Sequence, residues 1–149
     1  SAFGLMRSLP QPPQQFRIAD FRMVEGGVER PVSLPIFTAR RYATEESPRF
    51  TASFVRPESE AGRPWSVFLP RFTNGVEVSV NGVVIHDSRR DPAANRPDRN
   101  TPQIADIPAP ILRNGTNDLS IRLFVWGPIS GFLDRVSVGP DELLRPYHD

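Results

Sequence analysis

The stretch Val76-Glu77-Val78-Ser79-Val80-Asn81-Gly82-Val83-Val84-Ile85 decides the fold class of this chain. Valines at 76, 78 and 80 alternate with polar residues, which is the period of a strand with one buried face. Asn81-Gly82 is the preferred two-residue hairpin turn, because both positions tolerate positive φ. Val83-Val84-Ile85 then returns as the partner strand, so the segment reads as a β-hairpin.

The same period recurs on both sides of the hairpin. Residues 118–126 alternate, with Leu119, Ile121, Leu123 and Val125 inward, and residues 50–55 place Phe50, Ala52 and Phe54 on one face. Residues 65–70 form an extended run ended by proline, and residues 104–108 and 132–138 are extended as well. Residues 16–24 alternate first in one phase and then in the other, which predicts a bulge or a bend. Residues 31–37 carry two prolines, confining that stretch to a sheet edge or a loop. Asp141 and Glu142 suit the first turn of a short C-terminal helix. The total is eight or nine short strands joined by Gly, Pro and Asn turns, with no internal repeat. Without helical crossovers to support parallel strands, the expectation is an all-β antiparallel sandwich of the jelly-roll kind.

Composition agrees with that expectation. A chain of 149 residues fits one domain, and 38% hydrophobic with 23% charged residues is a globular balance, not a disordered one. Seventeen prolines leave little room for long helices, since each removes a backbone donor and crowds the preceding turn. Residues 1–15 read as an extended, polyproline-like arm and residues 16–149 as the sandwich. Cysteine is absent, which excludes disulfides, thiol nucleophiles and thiolate metal sites. No run approaches the roughly 18 apolar residues of a membrane span, and no signal peptide is evident. The formal charge of +1 is too small for a nucleic-acid binder, although all 18 basic residues are Arg. An all-Arg complement reads either as a codon preference or as a surface able to fork onto carboxylates, phosphates or sugar hydroxyls.

Catalytic and metal chemistry find little support. His86 and His148 are the only histidines, and His86-Asp87-Ser88 are neighbours on an extended chain, where adjacent side chains point to opposite faces, so they do not make a triad. Zinc lacks ligands, and no metal site is assigned. Calcium could draw only on Asp87, Asp91 and Asp98 of the long polar loop spanning residues 86–103, with no EF-hand spacing. Glu45, Glu46, Glu58 and Glu60 sit in polar loop contexts that suit a solvated face. Asn114-Gly115-Thr116 fits a glycosylation sequon, but reads first as an Asn-Gly turn. Trp65 and Trp126 fall at strand ends, and two readings stand for them. Either the indoles stack on a sugar ring with Arg at its rim, or they plug the ends of the core. Candidate ligand-binding residues are therefore Trp65, Arg71, His86, Arg89, Arg90 and Trp126.

Two longer patterns carry a family resemblance. One is residues 65–71 followed by Val78-Ser79-Val80-Asn81-Gly82; the other is residues 107–122, with Ile107-Pro108, Ile111-Leu112, Gly115, Asn117 and Leu119. Together they resemble the galactose-binding-like jelly roll of the sugar-binding domains of beta-galactosidases and beta-glucuronidases. They resemble more closely the extracytoplasmic sensor domains of bacterial membrane histidine kinases and diguanylate cyclases, where a closing segment like residues 138–147 leads into a membrane helix. The resemblance covers residues 50–147 and transfers no catalytic residue or cofactor. It implies a non-enzymatic periplasmic sensor, tethered to the inner membrane and able to form a homodimer, whose partner is a small molecule, a carbohydrate among them, or a periplasmic protein. The alternatives are a carbohydrate-binding module or accessory domain of a glycosidase, and a protein-interaction domain.

Overall fold

A computed structural model of the chain describes residues 11–38, 47–90, 102–125 and 130–148. Twelve strands occur among these residues, all paired antiparallel. They are β1 (Asp20–Glu25), β2 (Val28–Ser33), β3 (Ile36–Thr38), β4 (Arg49–Arg56), β5 (Trp65–Leu69) and β6 (Phe72–Thr73), then β7 (Gly75–Val80), β8 (Val83–Asp87), β9 (Gln103–Ile107), β10 (Gly115–Phe124), β11 (Gly131–Leu133) and β12 (Ser137–Pro140). The helix α1 (Asp141–Leu144) follows directly.

One six-stranded sheet runs β2-β1-β4-β10-β7-β8, and two three-stranded sheets run β3-β11-β6 and β12-β5-β9. Their inner faces share a single core. Phe50, Val78, Leu119, Ile121 and Leu123 of the large sheet pack with Val67, Leu69, Ile107, Leu133 and Val138 of the small ones. The alternation expected for residues 119–125 is observed, since Leu119, Ile121, Leu123 and Val125 are all buried. The result is an all-β antiparallel sandwich.

The hairpin turn forms where the sequence places it, with Asn81 at φ 49° and Gly82 at φ 83°. The proline-bearing stretch divides into β2 and β3, which lie at the edges of two different sheets. That division, a similar one into β11 and β12, and the two-residue β6 account for most of the difference between twelve strands and the eight or nine that the sequence suggests. The phase change in residues 16–24 marks a transfer between sheets. Phe16 closes a 3-10 turn, Gln14–Phe16, and Arg17 bridges to Ser137. Ile18 N donates to Val136 O at 2.9 Å before the chain enters the large sheet as β1. The first strand therefore starts at Asp20 and not at Phe16.

Candidate functional site

The sheet β3-β11-β6 turns an unusual face to solvent. Its inner residues Leu133, Ile36 and Phe72 meet the core, so strand alternation sends Phe37, Phe132 and Thr73 outward. Phe37 and Phe132 are direct cross-strand partners with ring centroids 4.6 Å apart, and Phe37 remains 73% exposed. β11 begins with Gly131, where a Cβ would run into Thr38 Oγ1 and the Val125 side chain. Gly131 N instead donates to that hydroxyl at 2.9 Å.

Arg71 completes the platform. Its guanidinium carbon stands 5.8 Å from the Phe132 ring centroid, within the range of a cation–π contact. Nε donates to Asp134 Oδ2 at 3.1 Å, and Asp134 is almost fully buried. Asp134 is fixed in turn by its backbone, with Asp134 N donating to Arg71 O at 3.0 Å, and by Arg135 N donating to its Oδ1 at 2.7 Å. The two terminal Arg71 nitrogens carry no hydrogen-bond partner among the described residues, and the side chain is 47% exposed. A guanidinium anchored on a buried carboxylate thus lies beside an aromatic pair, of which Phe37 is exposed and Phe132 half-buried. This arrangement can stack a flat apolar face while donating hydrogen bonds at its edge.

The other candidate residues are engaged elsewhere. Trp65 is 6% exposed and stacks on Phe54 at 6.0 Å, so it closes the core and offers no face to a sugar. Of the two readings open for Trp65, the core plug is the one observed, and the sugar-stacking reading with an Arg at its rim does not hold for this residue. Trp65 and Leu69 end the five-residue β5 about 13 Å apart, and Arg71 lies beyond Leu69. Arg89 is equally remote from Trp65. It stacks 3.7 Å from the Phe124 ring, whereas Trp65 stacks on Phe54, the partner of Asn117. Those two positions on β10 are seven residues apart, about 23 Å of strand.

Arg89 is also committed to Asp87, through Nη2 at 2.8 Å and Nε at 3.0 Å, and these hydrogen bonds make it hold its proton more tightly than usual. His86 Nε2 lies 2.6 Å from Gln103 Oε1, and the buried Ser88 Oγ accepts from Val76 N at 2.8 Å. Each member of His86-Asp87-Ser88 therefore has its own separate partner. Arg90 closes the 3-10 turn Ser88–Arg90, and its side chain lies outside the described residues. Trp126, Asp91 and Asp98 lie outside them too. Among the described residues no three metal-ligating side chains gather.

Sequence reasoning missed Phe37 and Phe132. A three-residue strand is too short to show alternation, and a proline two residues before Phe37 masks it further. The one available signal was Phe37 beside a polar stretch, with Phe132 carrying Asp134 two residues later.

No protein-family model and no curated protein matches the sequence. Solved structures do match the fold. An FMN-binding beta-glucuronidase from Facaelibacterium prausnitzii L2-6 aligns with a TM-score of 0.60 at 15% identity, over 85% of this chain and 23% of that one. The beta-glucuronidase of Ruminococcus gnavus aligns at 0.58 and 12% identity, over 88% of this chain and 30% of its own. A beta-D-mannosidase from Dictyoglomus thermophilum aligns at 0.50 and 12%, over 72% and 15%. The chain thus spans less than a third of the length of these enzymes. What the chain shares with part of each of these glycosidases is the fold, an all-β antiparallel sandwich.

Proposed function

We propose that this chain is a non-catalytic carbohydrate-binding domain whose contact surface is the Phe37, Phe132 and Arg71 platform. The observation that carries the reading is the exposed Phe37 ring paired with Phe132, beside a guanidinium whose terminal nitrogens have no hydrogen-bond partner among the described residues. A pyranose presents an apolar C–H face and a rim of oxygens. The first suits the phenyl rings and the second suits Arg71. The likeness to β-sandwiches within glycosidase chains supports an accessory role of this type.

The test is calorimetric titration of the full chain with neutral and uronic oligosaccharides. Phe37→Ala should weaken binding by about tenfold through loss of the stacking face. Arg71→Gln should do so most for acidic sugars. Absence of saturable binding across the panel, or wild-type affinity in both variants, overturns the reading.

The periplasmic, membrane-tethered signalling role belongs to this proposal as its wider setting. What supports it is the adjacency of the segments at the two ends of the sandwich, with Arg17 bridged to Ser137 and the Phe16 ring against Gly139. Through that contact a change at the entering segment would reach residues 138–147, the segment that the resemblance places before a membrane helix.

A further inference from the structure

A cleft of about 420 Å³ lies at the other end of the sandwich from the platform, where the segment before β1 meets the segment after β12. Phe16, Phe54, Trp65 and Leu143 supply its apolar walls, and Arg17 and Glu60 its charged groups. That volume falls in the range of small-molecule sites, and a mostly apolar lining with few polar groups is their usual chemistry.

The polar groups are unequal. Glu60 is already occupied, since Arg63 Nη1 donates to its two oxygens at 2.9 and 3.2 Å. Arg17, half-buried, has neither an acidic nor a hydrogen-bonding partner for its guanidinium among the described residues. Trp65 gives a second, independent sign. Its indole Nε1–H is buried and has no acceptor. A buried donor without an acceptor is an uncompensated desolvation cost and needs a reason. Both unsatisfied groups are donors, and one is cationic.

We infer that this cleft is a binding site for a small aromatic carboxylate. The ring would lie against Phe16, Phe54 and Leu143. The carboxylate would take the Arg17 guanidinium, and an acceptor oxygen would reach the Trp65 N–H after the small side-chain shifts that commonly accompany binding. The site is independent of the carbohydrate platform, because Trp65 and Arg71 lie toward opposite ends of β5. Its walls come from both chain ends, through Phe16 and Leu143. An occupant would therefore join the entering segment to the leaving one.

The experiment uses the full chain and three probes: 2-naphthoate, neutral 2-naphthamide and acetate. Calorimetry should show saturable binding of 2-naphthoate, about tenfold weaker binding of the amide, and none of acetate. Arg17→Gln should bring the naphthoate down to the level of the amide and leave the amide unchanged. Leu143→Trp, at a half-exposed position that tolerates bulk, should fill the cleft and abolish both. The Trp65 indole N–H resonance, assigned with a Trp126→Phe variant, should move downfield as naphthoate saturates. No saturable heat with 2-naphthoate, wild-type affinity in Arg17→Gln, or an unmoved Trp65 resonance at saturation would each overturn the site. Loss of naphthoate binding in Phe37→Ala would relocate it to the platform and overturn it as well.

Discussion

Asn117 shows most directly how single residues hold this sandwich. It is fully buried, and its amide uses both acceptor and both donor capacities. Oδ1 accepts from Arg113 N at 2.8 Å and from Asn81 Nδ2 at 2.9 Å. Nδ2 donates to Arg113 O at 3.0 Å and Gly115 O at 3.1 Å. Asn81 also donates to Ile111 O at 2.7 Å and accepts from Asp118 N at 2.8 Å. The two halves of the sequence pattern, the hairpin Asn-Gly and the later Gly-x-Asn, are thus one hydrogen-bonded unit. Asn117→Ala leaves Arg113 N without its acceptor, and should lower unfolding stability by about 3 kcal/mol, read from the urea midpoint. A double-mutant cycle with Asn81→Ala should show coupling of about 1 kcal/mol or more, because the residues share a bond. The turn chemistry at these positions was legible in the sequence, since it depends on residue type and local φ. The fate of Trp65, Arg71 and Arg89 was not, because each is decided by partners at long range: Phe54, Asp134 and Phe124.

At the scale of elements, legibility follows length. The strands β4, β7 and β10 hold six to ten residues, enough alternation to register in the chain itself. The two- and three-residue strands β3, β6 and β11 hold at most one and a half repeats, and they carry the proposed site. The helix α1 was legible from its acidic first turn, but what anchors it was not. Asp141 accepts from Arg145 at 2.9 and 2.7 Å and from Ser66 Oγ, which ties the helix to β5. The Arg145 hydrogen bonds hold the Asp141 carboxyl below the usual carboxylate range, with Ser66 and the Arg145 charge reinforcing them against a smaller burial effect. A carboxyl with a lowered pKa in the folded state stabilises fully above its unfolded value, about pH 4, and loses that contribution as pH falls through the lowered one. Asp141→Asn should therefore flatten the fall in urea midpoint below about pH 4 while lowering it at neutral pH. An unchanged acid slope would show that Asp141 does not titrate with folding.

For the whole molecule, the closure of the two chain ends decides whether the sandwich behaves as one cooperative body. The large sheet is internally continuous from β2 to β8, whereas the segment before β1 is held to the β12 sheet by Arg17, Ile18 and the Phe16 ring. That seam depends on Gly139. A Cβ there would stand 2.7 Å from Phe16 Cδ1 and 3.1 Å from Cγ, too close for the ring to stay. Phe16 is half-buried and outside the central core, so a shift of its ring would take up the strain locally. Gly139→Ala should cost about 1–2 kcal/mol of global stability, within the usual range for overpacking. Its local effect should be larger. The Ile18 amide, bonded to Val136 O, should exchange at least about tenfold faster, while the amides of Leu119 and Ile121 on the central β10 slow or quicken only with global stability. Adding Phe16→Ala to Gly139→Ala should relieve the clash, so the double variant should lie closer to Phe16→Ala alone than additivity allows. If Ile18 exchange instead tracks the core amides in every variant, the seam opens only with global unfolding. The entering segment is then part of the sandwich's single cooperative unit, and a ligand in the adjoining cleft would stabilise the whole domain instead of fastening one end to the other.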